Sequence, residues 1–156
     1  MAGVRFHNPK TLAPPPGYSY VVEADGPVRI VYLAGQLGLD TENKFVGEDF
    51  RAQCVQAFEN MTLALKGAGA SWSDVVKINN FLVDIQANMM TFREVRDRYL
   101  NKAAPPASTT IGVPALARPG GLFEIEAIAV LPAKGAAKAA SSNAKKKGKA
   151  SKKKRR

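Results

Sequence analysis

Between Phe123 and Val130 the chain reads FEIEAIAV, an alternation that leaves few conformations open. Phe123, Ile125, Ala127 and Ala129 fall on one face of an extended segment, and Glu124, Glu126, Ile128 and Val130 fall on the other. A period of two is that of a strand half-buried in a sheet. It also sets two carboxylates side by side. On an open face water solvates such a pair cheaply; in a cleft or subunit interface the pair needs hydrogen-bond partners or a shared proton. The whole stretch from Ala107 to Val130 reads as two strands joined by a Pro/Gly loop.

The remaining elements come from the same kind of pattern. Residues 1–17 are polar and proline-rich, ending in Pro14-Pro15-Pro16-Gly17, and are expected to form a flexible segment. Ser19–Ala24 and Val28–Ala34 read as strands around Asp25-Gly26-Pro27, a hairpin signal. Gly35 and Gly38 break or bulge the continuation towards Asp40. Asp49–Lys66 is predicted helical, with Phe50, Cys54, Ala57, Phe58, Met61 and Leu65 on one stripe, Asp49 as N-cap, and Gly67 and Gly69 as the stop. Ser71-Trp72-Ser73-Asp74 is a turn into a strand at Val75–Val83. A second helix is expected from about Met89 to Asn101, with Phe92, Val95, Tyr99 and Leu100 inward. Its Arg93, Glu94, Arg96, Asp97 and Arg98 are expected to face outward, and Pro105-Pro106 ends it.

This order predicts an α+β fold in which two helices pack on one face of a mixed β-sheet. The other face remains too apolar for water, since Ile30, Tyr32, Ile128 and Val130 would lie there and no third helix exists to cover them. An oligomer that buries the open face is therefore expected.

The formal net charge of +10 suggests a nucleic-acid binder until the charge is located. Eleven of the 23 basic residues come after Pro132, with no acid among them, which leaves twelve basic against thirteen acidic residues in the body. Residues 133–156 lack any large apolar side chain and are expected to be a disordered Lys/Arg-rich tail. Lys145, Lys146, Lys147, Lys152, Lys153, Lys154, Arg155 and Arg156 are its candidate polyanion contacts, nonspecific and salt-sensitive. The bland alternative is that the same run is merely a solubilising extension; Lys152–Arg156 also looks like a nuclear-localisation patch. One cysteine rules out an internal disulfide and, with the single His7, argues against a metal cluster. No metal or cofactor is expected. Neither GxxxxGK[ST] nor GxGxxG occurs. Met1–Lys10 lacks an apolar run and no stretch is long enough to span a membrane, so the expected location is cytoplasmic.

PPASTTIGV followed by EIEAIAV resembles the C-terminal signature of the RidA/YjgF family of enamine/imine deaminases, PAR-[ST]-x-V-x-V … EIEAIAV. Gly17-Tyr18-Ser19, Leu33-Ala34-Gly35-Gln36 and Asp74-Val75-Val76-Lys77 match other family stretches in the same order. The likeness runs over residues 18–132, taken as the single folded domain. It implies a chorismate-mutase-like fold, a trimer whose sheets form a central barrel, and clefts between subunits.

Carried over residue by residue, the resemblance implies that Glu124 lies in such a cleft and positions the water or leaving ammonia. The bland alternative is that Glu124 and Glu126 both make structural hydrogen bonds. Tyr18 matches the family tyrosine that lines the cleft, although a half-buried strand aromatic is the ordinary reading. Gly35 sits where backbone approaches a ligand, and a β-bulge explains it equally well. Thr109 and Thr110 offer hydroxyls beside Ser108 but are also common strand formers. Cys54 reads as packed core, and Trp72 as an anchor at the core edge.

Ser108 stands where the deaminases carry an arginine that pairs with the substrate carboxylate. Serine cannot supply that bidentate geometry. Another cation substitutes, or the substrate lacks the carboxylate, or the chain is not a deaminase. Arg118, on the loop between the closing strands, and Arg96, on the second helix, are the candidate substitutes; a solvated surface arginine is the usual role for either. The resemblance implies hydrolysis of a reactive enamine or imine to a carbonyl compound and ammonia, with poor activity on 2-iminopropanoate and 2-iminobutanoate because of Ser108. The alternatives are a trimer that binds a small metabolite without chemistry, and an RNA-binding or endoribonuclease-like protein using the basic tail.

Overall fold

The computed structural model describes residues 3–133. Its elements are β1 (Gly3–His7), β2 (Val21–Asp25), β3 (Val28–Leu37), α1 (Phe50–Gly67), a 3₁₀ turn (Trp72–Asp74), β4 (Val75–Val83), α2 (Ile85–Arg96), β5 (Ala107–Val113) and β6 (Phe123–Pro132). The candidate polyanion contacts from Lys145 to Arg156 lie outside the described residues.

The main sheet has the order β3-β6-β4-β5. β6 runs antiparallel to both neighbours, and β4 pairs with β5 in parallel, so the sheet is mixed as expected. The alternation in β6 decides its placement. Phe123, Ile125, Ala127 and Ala129 are all at most 3% exposed, packed beneath the helices. On α1 the stripe Phe50, Cys54, Ala57, Phe58, Met61 and Leu65 is buried as its spacing requires. Asp49 caps that helix, its side chain accepting from the Ala52 amide at 2.9 Å. The core continues through stacked Phe58, Phe123 and Tyr99. Trp72 closes its edge, its Nε1 donating to Thr62 Oγ1 at 2.8 Å.

Three expectations are corrected. Asp25-Gly26-Pro27 joins β2 to β3 without a hairpin, because β2 pairs with β1 in a separate two-stranded sheet. The N-terminal segment expected to be flexible supplies β1 through Gly3–His7, held to β2 in antiparallel register. The second helix begins at Ile85 and ends at Arg96. Its start lies at Asp84, a residue of capping type that in a one-residue turn from β4 takes a left-handed φ of 48° and makes no side-chain capping bond. Its last predicted turn is instead a run of tight turns, in which Tyr99 and Leu100 both donate to the Arg96 carbonyl.

The sheet face away from the helices is only partly covered within the chain. Tyr32 is 76% and Ile30 50% exposed there, beside Ile128, whereas Val130, expected on the open face, is only 7% exposed. Among the described residues, no helix is long and apolar enough to cross a membrane.

Candidate functional site

The two glutamates of β6 share the open face but not their circumstances. Glu126 accepts from Asn79 Nδ2 at 2.6 Å, one strand over on β4. Close by, Lys77 Nζ donates to Thr109 Oγ1 at 2.6 Å. Burial pushes the Lys77 ammonium below its usual range, and the Glu126 charge partly offsets that. Glu124 has no side-chain hydrogen bond among the described residues, and it is only half-buried. Its carboxylate lies over Gly35, where a Cβ would overlap it. The register of β3 slips between Leu33 and Gln36, so Gly35 occupies a bulge. The bulge reading of Gly35 is the one observed: the bulge makes the room, and the missing side chain lets the Glu124 carboxylate settle against the backbone.

A hollow of about 330 Å³ opens on the opposite side of the sheet, between α2 and β5. Tyr18, Arg96, Ser108, Thr109 and Thr110 line it, with Phe92 and Met89 as its apolar wall. Tyr18 reaches it because Ser19 is stitched to the edge of β5: the Ser19 amide donates to Pro106 O at 3.1 Å, and its Oγ to Pro105 O at 2.6 Å. Ser108 and Thr110 pair across the sheet with Ile78 and Asn80, which face the helices.

Arg96 departs from the expectation that it faces outward. It lies four residues beyond Phe92, so its stem runs along that ring, with the guanidinium carbon 5.6 Å from the ring centre. The residue is only 7% exposed. Nε and Nη2 both donate to Asp97 Oδ1, at 2.9 and 2.7 Å. Arg118, the other candidate cation, is elsewhere. It bonds Asn43 Oδ1 at 2.7 Å and the Asn43 carbonyl, and lies over Phe45, outside the residues that line the hollow.

The sequence reading missed Asn80, which is fully buried on β4. Its Nδ2 reaches Ser108 Oγ at 3.3 Å, Thr109 O at 3.2 Å and Thr110 Oγ1 at 3.3 Å. Its Oδ1 is the one buried side-chain polar atom without a partner among the described residues. An amide between Ile78 and Leu82, at an inward position of an apolar strand, was the available signal.

Within one chain, therefore, Glu124 and the Tyr18–Ser108–Thr110 group stand on opposite faces of the sheet. No group of three or more potential metal-ligating side chains occurs among the described residues. His7 is on β1, 3.4 Å from Glu23, and is not among the residues that line the hollow.

Comparison with known proteins adds three kinds of likeness. The family model described as Endoribonuclease L-PSP matches residues 9–131. The chain is 35% identical over 125 residues to the 2-iminobutanoate/2-iminopropanoate deaminase of Dermatophagoides farinae, covering 77% of this chain and 91% of that protein. It is 39% identical over 124 residues to the chloroplastic reactive intermediate deaminase A of Arabidopsis thaliana, covering 79% of this chain and 62% of that one. Among solved structures it resembles YyfB from Yersinia pestis, a Rid-family protein of unknown function. The TM-score is 0.72 at 36% identity, covering 82% of this chain and 98% of that one.

Proposed function

This chain belongs to the RidA/YjgF family, matched over residues 9–131 as Endoribonuclease L-PSP, and on that premise we propose that it hydrolyses reactive enamines and imines. The products are a carbonyl compound and ammonia. Relatives named as imine deaminases support the general activity.

The observation that carries the reading is the contrast between the two glutamates. Glu126 is engaged by Asn79, whereas Glu124 keeps its carboxylate clear of protein donors, over a bulge that carries no side chain. Imine hydrolysis needs such a group. Glu124 takes a proton from water as the oxygen adds to the C=N carbon. It passes that proton to nitrogen to give the carbinolamine. It then moves the carbinol O–H proton to nitrogen as the C–N bond breaks, so that the carbonyl compound and ammonia leave and the carboxylate is restored. A positioned carboxylate contributes about 10²–10⁴-fold to a step of this kind.

Because Glu124 and the hollow face opposite ways, the reading requires two copies. One copy supplies Glu124 and the Gly35 backbone; the next supplies Tyr18, Ser108 and Thr110. A homotrimer joined through the open sheet faces provides three such clefts and covers Tyr32 and Ile30. Ser108 gives the strand wall a hydroxyl in place of a guanidinium, so the substrate range differs from that of arginine-bearing relatives. The basic tail, residues 134–156, acts as a nonspecific polyanion contact apart from this chemistry.

The test is an imine generated in place by an amino-acid oxidase and trapped with semicarbazide. Wild-type protein lowers the semicarbazone yield, and Glu124→Gln loses about 10²–10⁴-fold of that effect. A panel of imines and enamines on which the wild type has no effect contradicts the proposal.

A further inference from the structure

We infer that Arg96, on helix α2, is the carboxylate clamp of this protein, replacing on the helix wall the cation that the strand lacks at Ser108. The inference rests on the deaminase reading for the identity of the substrate, but not for the anion contact itself.

Three observations carry it. The first is position. Arg96 lines the same hollow as Tyr18, Ser108 and Thr110, whereas Arg118 is tied to Asn43 outside it. The second is incomplete engagement. Asp97 Oδ1 accepts from Nε and Nη2, yet Nη1 has no protein partner among the described residues, and it is not among the buried unpaired atoms, so it stays open to a ligand. Asp97 is itself half in water, with its side chain 42% exposed, so it neutralises Arg96 only in part.

The third observation concerns the hydroxyls opposite. The Asn80 amide is oriented by the Thr109 carbonyl, which can only accept, so Nδ2 must be the atom that faces β5. The two hydrogens of Nδ2 are shared among that carbonyl, Ser108 Oγ and Thr110 Oγ1. Neither hydroxyl donates to another protein group among the described residues, so each proton is open to a ligand in the hollow. A hollow lined by a guanidinium and two hydroxyls set as donors is matched to an oxyanion. Phe92 and Met89 supply an apolar wall for the remainder of a small molecule.

The consequence is a specific form of altered selectivity. Loss of arginine at position 108 does not remove the carboxylate requirement. It moves the carboxylate across the hollow, from β5 to α2, and with it the line along which the C=N carbon is presented to Glu124. Arg93, exposed at the mouth one turn earlier, adds attraction for the same charge.

The experiment uses the full chain and two nearly isosteric probes, 2-oxobutanoate and 2-oxobutanamide. Calorimetric titration is expected to show the acid binding at least about tenfold tighter than the amide. Arg96→Gln is expected to abolish that preference, leaving affinity for the amide unchanged. Arg96→Lys, which keeps charge but not the fork, retains part of it. On carboxylate-bearing imines, Arg96→Gln raises KM at least about tenfold and changes kcat less. Equal binding of acid and amide by the wild type overturns the inference with no variant needed, as does a folded Arg96→Gln that keeps the preference. Hydrolysis of neutral enamines without any acid preference removes the clamp and leaves the deaminase reading standing. Acid binding through Arg96 by a protein that hydrolyses no imine does the reverse.

Discussion

Glu124 owes its availability to the residue facing it. Gly35→Ala pushes a methyl group into the Glu124 carboxylate, so turnover is expected to fall at least about tenfold, since misplaced groups lose rate steeply. The melting temperature should change little, and steady-state kinetics beside a thermal melt checks both. Cys54 makes a different prediction. Burial pushes its thiol up to about 12. Folding therefore favours the protonated thiol: that contribution is complete below the unfolded value and is lost as pH rises from about 9 towards 12. Native protein should resist iodoacetamide near pH 8, and Cys54→Ala should have a shallower alkaline loss of stability in urea melts. Cys54 was legible in the sequence because its neighbours on the stripe are all apolar. Arg96 was named as a candidate cation, but its burial was not legible, because a charged side chain on a helix reads as solvated unless its stem has a ring such as Phe92 to lie along.

At the level of elements, α1 was legible at both ends because its signals are chemical. Asp49 caps the helix, and Gly69 carries a φ of +68° just beyond it. Asp49→Ala should cost about 1 kcal/mol in denaturant unfolding. Gly38→Ala should cost more than about 2 kcal/mol, because its Cβ would fall 2.5 Å from the Gln53 backbone, which cannot yield. Helix α2 was misplaced by about a turn, since Asp84 starts it in a left-handed turn without a capping bond. The β2–β3 hairpin failed for a longer-range reason. An Asp-Gly step marks a turn, but β1 outcompetes β3 as the partner of β2, and pairing between distant segments leaves no local trace. Asn80 escaped notice likewise: its value lies in reaching β5, a neighbour that only the crossover through α2 creates.

For the whole molecule, the pattern in β6 shows which face meets the helices, and Ile128 with Ile30 and Tyr32 of β3 makes the other face apolar in part, but the geometry of any covering partner is not encoded at that level. Placing a charge on the open face with Ile128→Glu should disperse the proposed homotrimer while the monomer keeps its helices, as followed by sedimentation velocity and circular dichroism. Removing residues 134–156 should leave imine hydrolysis unchanged and abolish salt-sensitive RNA retention in filter binding. The central claim is that the site is built from two copies, one contributing Glu124 and the other the hollow between α2 and β5. It is tested most directly by co-refolding Glu124→Gln with the hollow-blocking Ser108→Phe and assaying the mixture. The account predicts two inactive parents and a mixture that regains about a quarter of wild-type activity, the share of interfaces that random assortment leaves intact on both sides. A mixture no more active than its parents, formed from folded and freely exchanging oligomers, would contradict it.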